Sequence, residues 1–219
     1  MLVLVAYFLL PAVVEGLVAR DLQDRLGFDS PPEVDLRGGP VDMLTGDFSS
    51  GRVTLPGYDL DGVRPEEVAI ELSPFDVDVF GSVAAGEIAF QQTPSGALRV
   101  ELSEAEVSRI AASQASRFPV RSVDLEEGSA VVQTEVALLG QAVPAAVEGG
   151  VGVRDNAIFF GPRGAEAAGV AIPQGVVGEV LRGTDFVYPI GELPPGVRIT
   201  GVEVERDLLV LTGEVAGLP

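Results

Sequence analysis

The chain has no cysteine and no histidine, and its 14 cationic residues are all arginine. Without cysteine there can be no disulfide, thiolate metal site, iron–sulfur cluster or thiol nucleophile. Without histidine, the side chain that ordinarily titrates near neutrality is missing. Ser-His-Asp and Cys-His catalysis and histidine-ligated metals go with it. The absence of lysine removes the phosphate-loop lysine, the Schiff base and the kinase lysine. Tryptophan is absent, and aromatic residues make up only 6%. Positive charge is scarce, because 33 acids face those 14 arginines and leave a formal charge of −19. Nucleic-acid backbones need clustered cations, so this balance argues against such a partner. It argues equally against simple electrostatic adhesion to anionic headgroups. Most enzyme classes are excluded, no cofactor is implied, and the chain reads as a non-catalytic protein.

What is present is apolar. Of 219 residues 47% are hydrophobic, with a mean hydropathy of +0.34. A chain of this length hides roughly 70% of its extended surface on folding, enough for a substantial core. No linker stands out, and one domain over residues 1–219 is expected. Residues 2–14 (LVLVAYFLLPAVV) are entirely apolar. A membrane span needs about 20 such residues, and Pro11 interrupts this run. A secretory signal opens with positive charge, yet the first cation is Arg20. Leu17, Val18, Leu22 and Leu26 continue in helical rhythm until Gly27, so a helix over 1–26 is expected. This helix packs inside the fold or into a partner, or residues 1–14 are an anchor or signal lacking its basic end, or the start codon is misplaced.

From residue 33 onward the text is strand-like. Alternation runs through VAIEL (68–72), FDVDVF (75–80), EIAF (87–90), LRVEL (98–102), SVDL (122–125), VGVRD (151–155), AIFF (157–160) and VEVERDLLVL (202–211). Turn signals separate the runs, among them Glu127–Gly128, Asp155–Asn156 and Arg206–Asp207. Short, evenly spaced strands imply an antiparallel, meandering sheet. One central helix is signalled by the capping box Ser103–Glu104–Ala105–Glu106, with Val107, Ile110, Ala111 and Phe118 as its apolar stripe and Pro119 as its stop. A weaker helical pattern covers 174–182.

No motif assembles a reaction. Asp59–Leu60–Asp61–Gly62 opens like a calcium loop but lacks the later ligands, and reads as a turn. Asp76 and Asp78, if 75–80 is a strand, share one face, as a glycosidase pair would or as a wet outer face would. Glu101, Glu104 and Glu106 suit a helix start. Gly149–Gly150–Val151–Gly152 has no strand-to-helix phosphate pattern, and Gly161–Pro162–Arg163–Gly164 reads as a turn, with a phosphate-holding role for Arg163 as the lesser alternative. The collective signal has two readings: sheet and helices bury one another in a solid core, or a curved sheet leaves an apolar groove for acyl chains. Each methylene buried in such a groove contributes about 0.8 kcal/mol without directional contacts.

In its order of segments the chain resembles the LmeA-like phospholipid-binding family of actinobacterial cell envelopes. The matching stretches are the apolar start running into VARDLQDRL (18–26), then EVDLRGGPVDMLTGDFSSGRVTL (33–55) and VAIELSPFDVDV (68–79). They continue with LRVELSEAEVSRI (98–110) and LPPGVRITGVEVERDLLVLTGE (193–214). The chain departs from the family in having no basic residue before its apolar start.

This resemblance implies an α+β fold of the tubular lipid-binding kind. A long curved antiparallel sheet, taco-shaped, would wrap around the N-terminal helix and the central amphipathic helix. It also implies a phospholipid or other acyl-chain ligand, held without chemistry in the extracytoplasmic envelope, in support of lipid transport or glycolipid maturation. On this reading Val107, Ile110, Ala111 and Phe118 form one wall of a groove. Val68, Ile70, Leu72, Phe75, Val77 and Val79 form the other, and Leu17, Leu22 and Leu26 close an end. Arg109 or Arg117 at the rim would meet the headgroup phosphate. The rival is a solid-cored β domain tethered to a membrane, or paired with a second copy, through its apolar N-terminus.

Overall fold

Alternating apolar and β-branched residues fold into antiparallel ladders in the computed structural model. It describes residues 15–16, 19–20, 23, 31–55, 59, 62–85, 89–92, 94–114, 119–138, 141–172, 186–191, 193 and 195–216. Among them the first half runs β1 (Glu33–Arg37), α1 (Pro40–Thr45), β2 (Asp47–Phe48), β3 (Ser50–Leu55), β4 (Glu67–Leu72), β5 (Phe75–Asp76), α2 (Val79–Ala85), β6 (Ser95–Ser103) and α3 (Glu104–Gln114). The second half runs β7 (Val120–Glu126), β8 (Ser129–Leu138), β9 (Gln141–Arg154), β10 (Ala157–Ala167), β11 (Val170–Ala171), β12 (Phe186–Pro189), β13 (Val197–Glu205) and β14 (Leu208–Ala216).

The first sheet has the order β1-β3-β4-β6-β14-β13. Its register aligns whole rows of apolar side chains on one face. Val34, Val53, Ile70, Leu98 and Ile199 lie in one row, and Leu55, Val68, Val100, Leu211 and Val202 in the next. The opposite face carries the charges: Arg52 pairs with Glu71, and Arg99 bridges Glu101 and Glu205 at 2.8 and 3.2 Å. A period of two therefore separates an apolar face from a charged one, although Val210 and Ala69 are buried on the charged side.

The second sheet has the order β11-β10-β9-β8-β7, with β12 added on β10. Val123, Val132, Val147 and Ala165 form a row on its apolar face. The β9–β10 hairpin turns at Asp155 and Asn156, both at positive φ (52° and 57°), the conformation whose twist suits a two-residue hairpin. One buried cluster takes side chains from both sheets, including Val53, Leu98, Val100 and Leu102 from the first and Val123 and Val147 from the second.

The strands and their antiparallel pairing follow the sequence expectation, but the single long sheet does not. Two six-stranded sheets and a small β2–β5 ladder are present instead. The reason lies at the edge of β7, where α3 stands in place of a strand. Ser108 Oγ accepts from the Val123 amide at 2.8 Å and lies 3.2 Å from the Val123 carbonyl, while Glu104 Oε2 accepts from the Leu125 amide at 2.9 Å. Side chains four apart on one helix face thus satisfy alternate groups of a strand edge. The β13–β14 hairpin completes the seam: the Asp207 amide donates to the Leu125 carbonyl, the Glu104 amide to the Asp207 carbonyl, and the Gly128 amide to the Val204 carbonyl. Beyond this seam β13 runs beside β9.

Segment 75–80 departs from its alternating pattern. The strand ends at Asp76, Val77 forms a lone bridge to Phe90, and α2 begins at Val79. Asp78 explains the change, since its Oδ1 accepts from the Gly81 amide at 2.8 Å, the geometry of a helix cap. The capping box at Ser103 also differs. Ser103 remains in the β6 ladder opposite Leu208, and Glu106 accepts from the Arg64 amide instead of turning back to Ser103. Of the N-terminal helix expected over 1–26, residues 15–16, 19–20 and 23 are described and helical, and Glu15 Oε1 accepts from the Leu36 amide of edge strand β1 at 3.3 Å. Residues 1–14 and the helical pattern at 174–182 lie outside the described residues.

Candidate functional site

Apolar side chains on the facing sides of the two sheets divide into closed and open groups. Val68 and Leu72, expected in a groove wall, are buried on the apolar face of β4, and Ile70 between them is half-buried. Phe75, Val77 and Val79 are buried in the same core cluster as Val68 and Leu72. There Phe75 stacks on Phe48 with centroids 5.2 Å apart and meets Phe90 edge-on at 6.1 Å. On α3, Val107, Ile110 and Ala111 are half-buried, and Val107 and Ala111 pack against the common core. Leu17, Leu22, Leu26, Phe118 and Arg117 lie outside the described residues.

Arg109 is engaged from within. Its Nε donates to Glu106 Oε2 at 2.8 Å, and one terminal nitrogen reaches both Glu106 Oε1 and the Gly62 carbonyl. Glu106 also takes the Arg64 amide at 2.7 Å, so this acid ties α3 to the segment entering β4. The Arg109 guanidinium holds the Glu106 carboxyl below its ordinary value, with the Arg64 amide adding to the effect against burial. Nε and one terminal nitrogen of Arg109 are thus engaged within the protein, while its side chain stays half-exposed.

Asp59 and Asp78 have local duties. Asp59 Oδ1 accepts from the Gly62 amide, closing a turn in which Gly62 has φ +84°. Asp78 caps α2, so the carboxylate pair read at positions 76 and 78 does not share a strand face. Among the described residues no cluster of acids is arranged to hold a metal ion.

An open apolar band was not assigned from the sequence. It lies where β13, β9, β10 and β12 run side by side. Val151 faces Phe160 across the β9–β10 ladder, Val153 faces Ile158, and Val197 and Val202 stand on the neighbouring β13. These six are half-buried and pack against the common core, so each still presents apolar surface to solvent. The alternation in VGVRD and AIFF was legible, but their side-by-side placement with β13 requires a contact about 50 residues distant in sequence. Gly149 matters here: a Cβ there would collide with the Phe160 ring, so glycine lets that ring lie down across β9. This accounts for part of the Gly149–Gly152 run without any phosphate.

Compared with known families, residues 5–214 match the model described as LmeA-like phospholipid-binding. No curated protein matches the chain, and no solved structure does.

Proposed function

The chain belongs to the LmeA-like phospholipid-binding family, and from that premise we propose that it holds one phospholipid by its acyl chains along the half-exposed apolar band, without catalysing a reaction on it. The observation that carries the reading is the division between closed and open apolar residues. Val68 and Leu72 have little surface left to remove from water, whereas Val151, Val153, Ile158, Phe160, Val197 and Val202 have surface to offer. Burial of apolar area contributes about 25 cal/mol per Å², so an acyl chain gains most over the second group. Ile70, Val107 and Ala111, from the walls inferred by sequence, are likewise half-buried and pack against the common core.

The family resemblance further supports a place in the extracytoplasmic envelope and a role in lipid transport or glycolipid maturation. The test is native mass spectrometry of the purified chain, with solvent extraction of whatever it carries, before and after incubation with phosphatidylcholine vesicles. A bound mass equal to one phospholipid is the expected result. A chain that stays bare after incubation overturns the proposal in favour of a solid core.

A further inference from the structure

We propose that the outer face of β9 and β10 is a docking surface for an anionic phospholipid bilayer, centred on Arg154, Phe159, Arg163 and Val187. This surface is on the opposite side of the ladder from the apolar band, so the inference does not rest on the groove.

The geometry begins with two glycines. Gly150 and Gly152 are two apart on β9 and point to the same face. A side chain at Gly152 would run into the Phe159 ring, and one at Gly150 into the Arg163 guanidinium. Ring and guanidinium therefore lie flat, side by side, on the strand. The Arg154 guanidinium sits over the Phe159 ring at 5.0 Å from its centroid. Val187, opposite Phe159 on β12, is 50% exposed. Two cations and two apolar groups thus share one exposed platform.

The charge pattern identifies the partner. Arg37, Arg52, Arg64, Arg99, Arg109 and Arg121 each face a carboxylate. Among the described residues no carboxylate lies within ion-pair distance of Arg154 or Arg163, nor of Arg20, Arg198 or Arg206, and of these five it is Arg154 and Arg163 that share a face with Phe159 and Val187. Glu148 and Glu166 stand further along the same face, beyond Arg163. Unneutralised guanidinium groups beside exposed apolar surface complement a bilayer interface that offers phosphates above and acyl chains beneath. At about 0.1 M salt the Debye length is about 10 Å, which screens the distant acids, while Asp155 beside Arg154 and Glu148 opposite Gly164 lie within that range and oppose the contact.

The experiment is flotation of the full chain with phosphatidylcholine vesicles, with and without phosphatidylglycerol, at that salt. Binding only to the vesicles containing phosphatidylglycerol is expected. The Arg154→Gln/Arg163→Gln variant should lose about thirty-fold in affinity, because each arginine at an anionic surface contributes about a factor of five. Arg154→Lys/Arg163→Lys should keep binding within about a factor of five. Arg37→Gln/Arg52→Gln changes the net charge equally on the other sheet and should bind as the wild type does. Equal losses in both glutamine variants, or no preference for phosphatidylglycerol, would overturn the proposal. So would displacement by inorganic phosphate beyond that by chloride at equal ionic strength, which would assign the arginines to a free anion. Bound lipid in the Arg154→Gln/Arg163→Gln variant, measured by native mass spectrometry, should equal that of the wild type, so failure of the groove reading shows separately as a bare wild-type chain.

Discussion

The Glu106 carboxylate is nearly enclosed between the Arg109 guanidinium and the Arg64 amide, with 10% of its side chain exposed. Its folded value is lowered, so its contribution to stability is complete above the ordinary 4.5 and is lost as pH falls through the lower folded value. Glu106→Gln should melt about 2–4 °C below the wild type at neutral pH, with the gap closing as a titrated melting series passes below that range. A gap constant across the series would refute the linkage. Gly152 offers a second test at this scale. Gly152→Val would push the Phe159 ring off the strand and break the Arg154 stack; because the clash is with the far end of an outward ring, the loss in a denaturant titration should be that of the stack, roughly 0.5–1 kcal/mol. Residue roles were only partly legible in the sequence. Asp59 read correctly as a turn residue, but Asp78 looked like a strand carboxylate, because a cap is distinguished from a strand only by where the next element points.

At the scale of elements, α3 does the work of an edge strand. Ser108 meets both the amide and the carbonyl of Val123, so removing its hydroxyl leaves two partly buried backbone groups without their partner. Ser108→Ala should destabilise the chain by about 1–3 kcal/mol and speed amide exchange at Val123. Ser113→Ala, whose hydroxyl meets only the Ile110 carbonyl on the exposed side of the same helix, is the control and should change little. The helix itself was visible in the rhythm of Val107, Ile110 and Ala111. Its task was not, since Glu104 and Ser108 look like ordinary polar positions until β7 is set beside them. Likewise the alternation in 68–72, 98–102, 122–125 and 202–211 gave strands that the structure contains, while 75–80 alternates and yet bends into a helix.

For the whole molecule, what counts is which apolar surface remains open. If the band between β13, β9 and β10 holds acyl chains, Ile158→Asp should abolish lipid uptake in the mass-spectrometric assay, because a carboxylate would face the chains. Arg121→Gln on the second sheet, whose guanidinium pairs with Glu135, should leave uptake as it is. Retained uptake in Ile158→Asp would place the ligand elsewhere. The walls inferred from sequence named apolar residues well but could not separate those that bury one another from those left half-open. That separation depends on which strands from distant parts of the chain become neighbours.

The sequence by itself determined the chemistry that is missing, the antiparallel strand content, the polar and apolar faces of each strand, and a family resemblance that runs through most of the chain. Composition and a two-residue period are local properties, and local properties survive translation into structure. Tertiary structure alone decided that the ladder splits at α3, that Glu106 takes the Arg64 amide, and that Arg154 and Arg163 have no carboxylate partner among the described residues. Each of these depends on contacts between residues far apart in the chain, where burial and hydrogen-bond satisfaction choose among pairings that the local pattern leaves equal.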